Sequence, residues 1–219
     1  MSQPVCAIMG FGTGVSLGVA RAFGKEGYTL ALLARNPAKL DTNCQELLQA
    51  GYTVQPFAAD AGSHESLLAA FAQIRTQLGD PEVLVYNAAA LVPGKPSALS
   101  FEQLVADFQV NVAGALVAAQ EVLPAMRSRG NGTLLFTGGG LALEPYADLS
   151  SLAIGKAGIR SLAFSLAQEL ANTGIRVGTV TICGIVKPGT HFDPDTIAQS
   201  YLALHKQTPG TPAVEIVYK

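Results

Sequence analysis

The chain has 219 residues, 49% of them hydrophobic and only 14% charged, with a formal net charge of −2. That balance fits one α/β domain over residues 1–219, built on a sheet buried on both faces. The charge is near neutral with no basic tract, which excludes a nucleic-acid surface, and no apolar run approaches the ~20 residues of a membrane-spanning helix.

Strand and helix signals alternate along the whole chain. Val5–Met9 is a short apolar run that ends in glycines, read as a first strand rather than a signal peptide. Ser16–Glu26 has helical spacing, Tyr28–Leu33 is the next apolar run, and Pro37–Ala50 is a second helix. Tyr52–Phe57 alternates like a strand, and Ser63 can cap a helix that runs to about Leu78. Val83–Tyr86 reads as a buried strand and Phe101–Arg129 as one long helical stretch. Thr133–Phe136 (strand), Leu149–Ala171 (helix), Arg176–Ile182 (strand), Pro194–His205 (helix) and Val214–Tyr218 (strand) complete the series. Strands separated by helices of this length imply right-handed crossovers and a parallel sheet of about seven strands, doubly wound in the Rossmann manner.

Cys6, Cys44 and Cys183 lie far apart without C-x-x-C spacing. They predict neither a disulfide framework nor a zinc site, and they suit a reducing cytoplasm. His64, His191 and His205 are scattered, so no metal is expected.

Gly10-Phe11-Gly12-Thr13-Gly14-Val15-Ser16-Leu17-Gly18 joins the first strand to the first helix. A glycine-rich turn at this point directs backbone N–H groups and a helix N-terminus at a pyrophosphate. The spacing resembles the G-x-x-x-G-x-G turn of the short-chain dehydrogenase/reductase family, with Gly10 and Gly14 matching and Ser16 at the third glycine. The resemblance extends through nearly the whole chain. It implies a nicotinamide cofactor in the groove formed by Gly10, Gly12, Thr13, Gly14 and Ser16. After the second strand, Ala34-Arg35-Asn36 carries no acid to bond the ribose hydroxyls. Arg35 offers instead a guanidinium fork for a 2′-phosphate, so NADP(H) is expected over NAD(H). Asp60 matches the family aspartate at the adenine, Asn87 the asparagine at the end of strand four, and Val186 the residue whose backbone meets the nicotinamide carboxamide.

The family usually works with an asparagine, a serine, a tyrosine and a lysine. Asn111 and Lys156 match two of these, while the serine and tyrosine positions are Gly139 and Leu152. Leucine donates no proton, so the lysine's implied work contracts to holding the cofactor ribose. Asp148, Tyr146, His191 and Tyr201 are within sequence range of the site as substitute acids. The family's usual lid contracts to Gly189–Asp195. Two functions follow: a divergent NADP(H)-dependent oxidoreductase of a small carbonyl or alcohol, or a non-catalytic NADP(H)-binding sensor or assembly partner. Relatives pair through two long helices as a four-helix bundle, which implies a homodimer or tetramer here.

Overall fold

The computed structural model describes residues 3–207 and 213–219. Seven parallel strands form one sheet in the order β3-β2-β1-β4-β5-β6-β7. They are β1 (Val5–Met9), β2 (Thr29–Ala34), β3 (Val54–Ala58), β4 (Val83–Tyr86), β5 (Gly132–Gly139), β6 (Ile175–Ile182) and β7 (Glu215–Tyr218). The connecting helices are α1 (Val15–Lys25), α2 (Pro37–Gln49), α3 (His64–Gln77), α4 (Phe101–Phe108), α5 (Gly114–Arg129), α6 (Ser150–Glu169) and α7 (Pro194–His205). Among the described residues no helix is long and apolar enough to cross a membrane.

Alternation along the strands divides the core into two layers. Ala7, Met9, Ala31, Leu33, Leu84 and Tyr86 face α3, α5 and α6. Cys6, Ile8, Leu30, Leu32, Val83 and Val85 face α1, α2 and α7. Covered on both faces, the central strands read as continuous apolar runs, and β1 is buried at all five positions. Pro56 lies in β3, an edge strand, where a missing ladder donor is tolerated.

Observed and expected boundaries agree within about three residues at most ends, the ordinary scatter of helix and strand termini. Two expectations need correction. Strand β5 extends three residues past Phe136, through Thr137 and Gly138 to Gly139. The stretch Phe101–Arg129 is not one regular helix: α4 and α5 are separated by a π-helical segment, Gln109–Ala113. The buried Tyr86 hydroxyl donates to the Val110 carbonyl inside this segment. A side chain inserted into the backbone ladder is a recognised cause of such irregularity. Gly114 follows at once, where a β-carbon would lie 2.6 Å from the Tyr86 hydroxyl and 2.1 Å from the Ala61 carbonyl oxygen.

Gly18, which trails the glycine turn in sequence, has a packing role. A β-carbon there would lie 2.3 Å from the Pro194 carbonyl oxygen. Its absence lets the start of α7 rest on α1. By contrast, a β-carbon on Gly12 would meet nothing within 4 Å. Gly18→Ala is therefore expected to cost about 1–3 kcal/mol by overpacking, a midpoint loss of several degrees, whereas Gly12→Ala leaves stability unchanged. Parallel thermal denaturation of the two variants checks the contrast.

Candidate cofactor groove and active site

The sheet's strand order reverses between β1 and β4, so the loops after these strands part and leave a crevice. An open groove of about 1540 Å³ lies there, lined among others by Gly10, Gly12, Thr13, Arg35, Lys39, Ala61 and Asn87. Gly10, at φ +82°, turns the chain out of β1, and a β-carbon on it would lie 2.4 Å from the Ala88 nitrogen. Gly12 and Gly14 face open space. Gly14 precedes α1 without any side-chain cap; the Leu17 N–H donates to the Gly14 carbonyl, and the Val15 and Ser16 N–H groups are left for an anion. An open cradle, uncapped donors and a backbone of glycines fit a pyrophosphate.

Ser16 is buried under this turn. Its hydroxyl accepts from the Gly12 N–H at 2.9 Å and donates to the Gly12 carbonyl at 3.2 Å. It fixes the turn's shape from below, while Thr13 lies exposed on the groove side. Arg35 is exposed on the groove wall at the end of β2. Asn36 caps α2 by accepting from the Lys39 N–H. That cap brings Lys39 onto the same wall, a second cation that the strand-end motif did not reveal. The signal was present as N-P-A-K, a cap followed by proline, with lysine one turn in.

Asp60 stands exposed at the end of β3, one oxygen accepting from the Gly62 N–H at 2.9 Å. Ala61 rather than Asp60 lines the groove. Asn87 lies at the groove's edge inside a chain of hydrogen bonds. Its side-chain N–H donates to the Gly10 carbonyl at 3.2 Å, and its oxygen accepts from the Thr137 hydroxyl at 2.9 Å. A hydroxyl has one proton to give, so the Tyr201 hydroxyl, 2.7 Å away, donates to Thr137. Burial pushes the Tyr201 phenol well above its ordinary range. Tyr201 thus ties α7 to β5, in the layer opposite α6.

Lys156 approaches the same Thr137 from the α6 side, its Nζ donating to the Thr137 carbonyl at 2.8 Å. Burial pushes this ammonium down to about 8 from an ordinary 10.5. Gly139 makes room for the lysine stem, since a β-carbon there would lie 3.3 Å from the Lys156 Cδ and Cε. Leu152, one helical turn before Lys156, is buried. A serine at 139 would therefore press on the lysine.

Asn111 is buried in the π-helical segment. Its oxygen accepts from the Ala90 N–H at 2.8 Å and its amide donates to the Ala90 carbonyl at 3.4 Å. It anchors the loop after β4, packed against Gly155, where a β-carbon would lie 2.6 Å from its side chain. Val186 is half-buried against the α1–α7 layer. The segment after it closes on itself: the Lys187 N–H donates to the Phe192 carbonyl, and the Phe192 ring lies over Gly184.

Tyr201, one of the candidate substitute acids, is committed to Thr137. His191 contacts the Lys219 carbonyl and stacks on Tyr218. Tyr146 is exposed, its phenol raised by a hydrogen bond with Asp148. Tyr146 also lines an apolar recess of about 450 Å³ with Leu141, Pro145, Ala153 and Ile154. Leu152 and Lys156 lie on another face of α6.

The family model for short chain dehydrogenases matches residues 4–196. The chain belongs to the short-chain dehydrogenase family. The 2,3-dihydro-2,3-dihydroxybenzoate dehydrogenase of Bacillus subtilis (strain 168) is 30% identical over 186 residues, 85% of this chain and 69% of that protein. Among solved structures, a metagenomic short-chain oxidoreductase in complex with NADP superposes with a TM-score of 0.89 at 25% identity, covering 99% of this chain and 97% of that one. The L-sorbose reductase of Gluconobacter frateurii, complexed with NADPH and L-sorbose, has a TM-score of 0.80 at 26% identity and covers 86% and 72% of the two chains. The fold of this chain is the family's.

The lowered lysine has a consequence for folding. Between about pH 8 and 10.5 the unfolded chain holds the Lys156 proton and the folded one has released it. The unfolded state then binds more protons, so this group's contribution to stability rises with pH across that window. Lys156→Met is expected to be more stable than the wild type at pH 7, with the gap shrinking as pH approaches 10. Denaturant unfolding of both proteins at pH 7, 8.5 and 10 measures it.

Proposed function

We propose that this chain is an NADP(H)-dependent oxidoreductase that interconverts a small carbonyl compound and its alcohol. The observation that carries the cofactor assignment is the convergence of the uncapped α1 N-terminus with Arg35 and Lys39 on one groove. In this reading the Gly10–Gly14 backbone and the first turn of α1 hold the pyrophosphate. Arg35 and Lys39 pair with the 2′-phosphate, and Ala61 borders the adenine half beside Asp60. Asn87 and Asn111 keep the ends of β4 and its loop rigid, and Lys156 holds the nicotinamide ribose. The backbone of Val186 meets the carboxamide. When bound, NADPH supplies a hydride for transfer to a carbonyl carbon.

Two cations and no carboxylate line the 2′-phosphate side, so NADPH should bind more tightly than NADH. A charge-assisted hydrogen bond contributes about 1.5–3 kcal/mol, roughly ten- to over a hundredfold in affinity. Arg35→Asp is expected to abolish or reverse the preference. Fluorescence titration with both cofactors tests this, and equal affinities in the wild type would overturn the assignment.

The same proposal includes pairing with a second copy. Phe101, Val105, Phe108 and Leu116 on α4 and α5, with Ile154 on α6, are exposed apolar side chains. Together they offer a face suited to a four-helix contact. Phe108→Glu is expected to shift the wild-type dimer to a monomer in light scattering after size exclusion. A wild type that is already monomeric at micromolar concentration would refute it.

A further inference from the structure

We propose that Lys156 is itself the proton donor to the substrate oxygen in carbonyl reduction, standing in for the tyrosine that Leu152 replaces. The inference rests on the oxidoreductase reading above and goes beyond it by naming the acid. It begins with a count of protons around the end of β5. The Ser150 hydroxyl donates to the Gly94 carbonyl at 2.7 Å, and the Ser151 hydroxyl to Asp107 at 2.6 Å. The Thr137 hydroxyl is given to Asn87, and Asn111 is bonded twice to Ala90. Lys156 has three N–H donors and one hydrogen-bonded acceptor, the Thr137 carbonyl. The Asn111 amide also keeps one N–H, but an amide proton does not titrate, so Lys156 alone in this set has an acidic proton to spare.

Steric room supports the same assignment. With no side chain on Gly139, the lysine stem lies against that backbone. At positions 139 and 152, glycine and leucine put no hydroxyl beside the lysine. Leu152 adds apolar cover one turn away, which favours the neutral amine. Titratable and charged groups on the neighbouring elements do not oppose this. Asp107 on α4 is bonded to Ser151 and Gln103, and Tyr86 on β4 to the Val110 carbonyl. Cys183 after β6 contacts the Thr181 carbonyl, and Arg160 pairs with Glu215. None of them bonds Nζ. An ammonium that titrates near 8 gives up its proton far more readily than an ordinary lysine.

The step balances. The carbonyl carbon gains hydride and forms a C–H bond, the C=O π bond breaks, and the oxygen takes a proton from Nζ. The carbonyl is reduced to an alcohol and NADPH is oxidised to NADP+. The amine left behind recovers its proton from water. In the oxidation direction the neutral amine is the base.

The test joins a direct titration with kinetics. In the cofactor-free protein, carbon-13 NMR of ε-labelled lysine should give Lys156 a midpoint near 8, and Leu152→Asn should raise it by a unit or more as water enters. With NADPH and a panel of diketones and quinones, kcat for reduction should fall tenfold per pH unit above the Lys156 midpoint of the enzyme–NADPH–substrate complex. Lys156→Arg keeps the charge but does not release a proton. Assayed at saturating NADPH, its kcat should fall ~10²-fold or more and its pH limb should vanish. A Lys156 midpoint at or above 10, or a Lys156→Arg variant that keeps the wild-type rate and pH limb, overturns the proposal and leaves the oxidoreductase reading standing. A wild type that binds no NADPH, or that binds it and reduces no carbonyl, overturns both.

Discussion

Thr137 is the point on which the site depends. Its hydroxyl donates a hydrogen bond to Asn87 and accepts one from Tyr201, while its carbonyl accepts from Lys156. Asn87 carries the line to the Gly10 carbonyl, where the phosphate turn begins. One residue near the end of β5 thus ties β1, β4, α6 and α7 together. Each bond lies in a half-buried or buried setting where an unmade partner is costly. The groove, the lysine and the seventh helix cannot shift independently while that chain is intact.

Small side chains set the distances around this point. Gly10 brings the phosphate turn against Ala88, Gly18 admits α7 onto α1, Gly155 admits Asn111, and Gly139 admits the stem of Lys156. At each place a methyl group would collide or crowd. Neither Gly139 nor Leu152 offers a polar side chain to Lys156. Burial is what lowers the lysine's hold on its proton.

The low charge of the chain sharpens the groove's electrostatics. Arg35 and Lys39 are two of only 14 basic residues, and both stand on the wall after β2. In so sparsely charged a protein, two cations with an uncapped helix end make a local anion site that distant charges do little to screen or mimic. Arg21, by contrast, is spent on Glu46 and Asp195, where it clasps α1, α2 and the start of α7.

The alternating apolar runs, the position of the glycine turn and the residue after β2 were enough to determine the doubly wound sheet and the placing of Arg35, though not of Lys39, because strand and helix periods and turn chemistry are local properties. The spacing of Asn111 and Lys156, and the glycine and leucine at positions 139 and 152, were legible in the same way. What the partners of these residues are was not legible. That Tyr201 bonds Thr137 across 64 residues, that Gly18 is a seat for Pro194, and that Tyr86 opens a π-helical turn at Val110 depend on contacts between distant segments. Spacing places a lysine on a helix face. Only the packed structure decides what covers it, and burial of that ammonium beside a glycine sets the chemistry it can do.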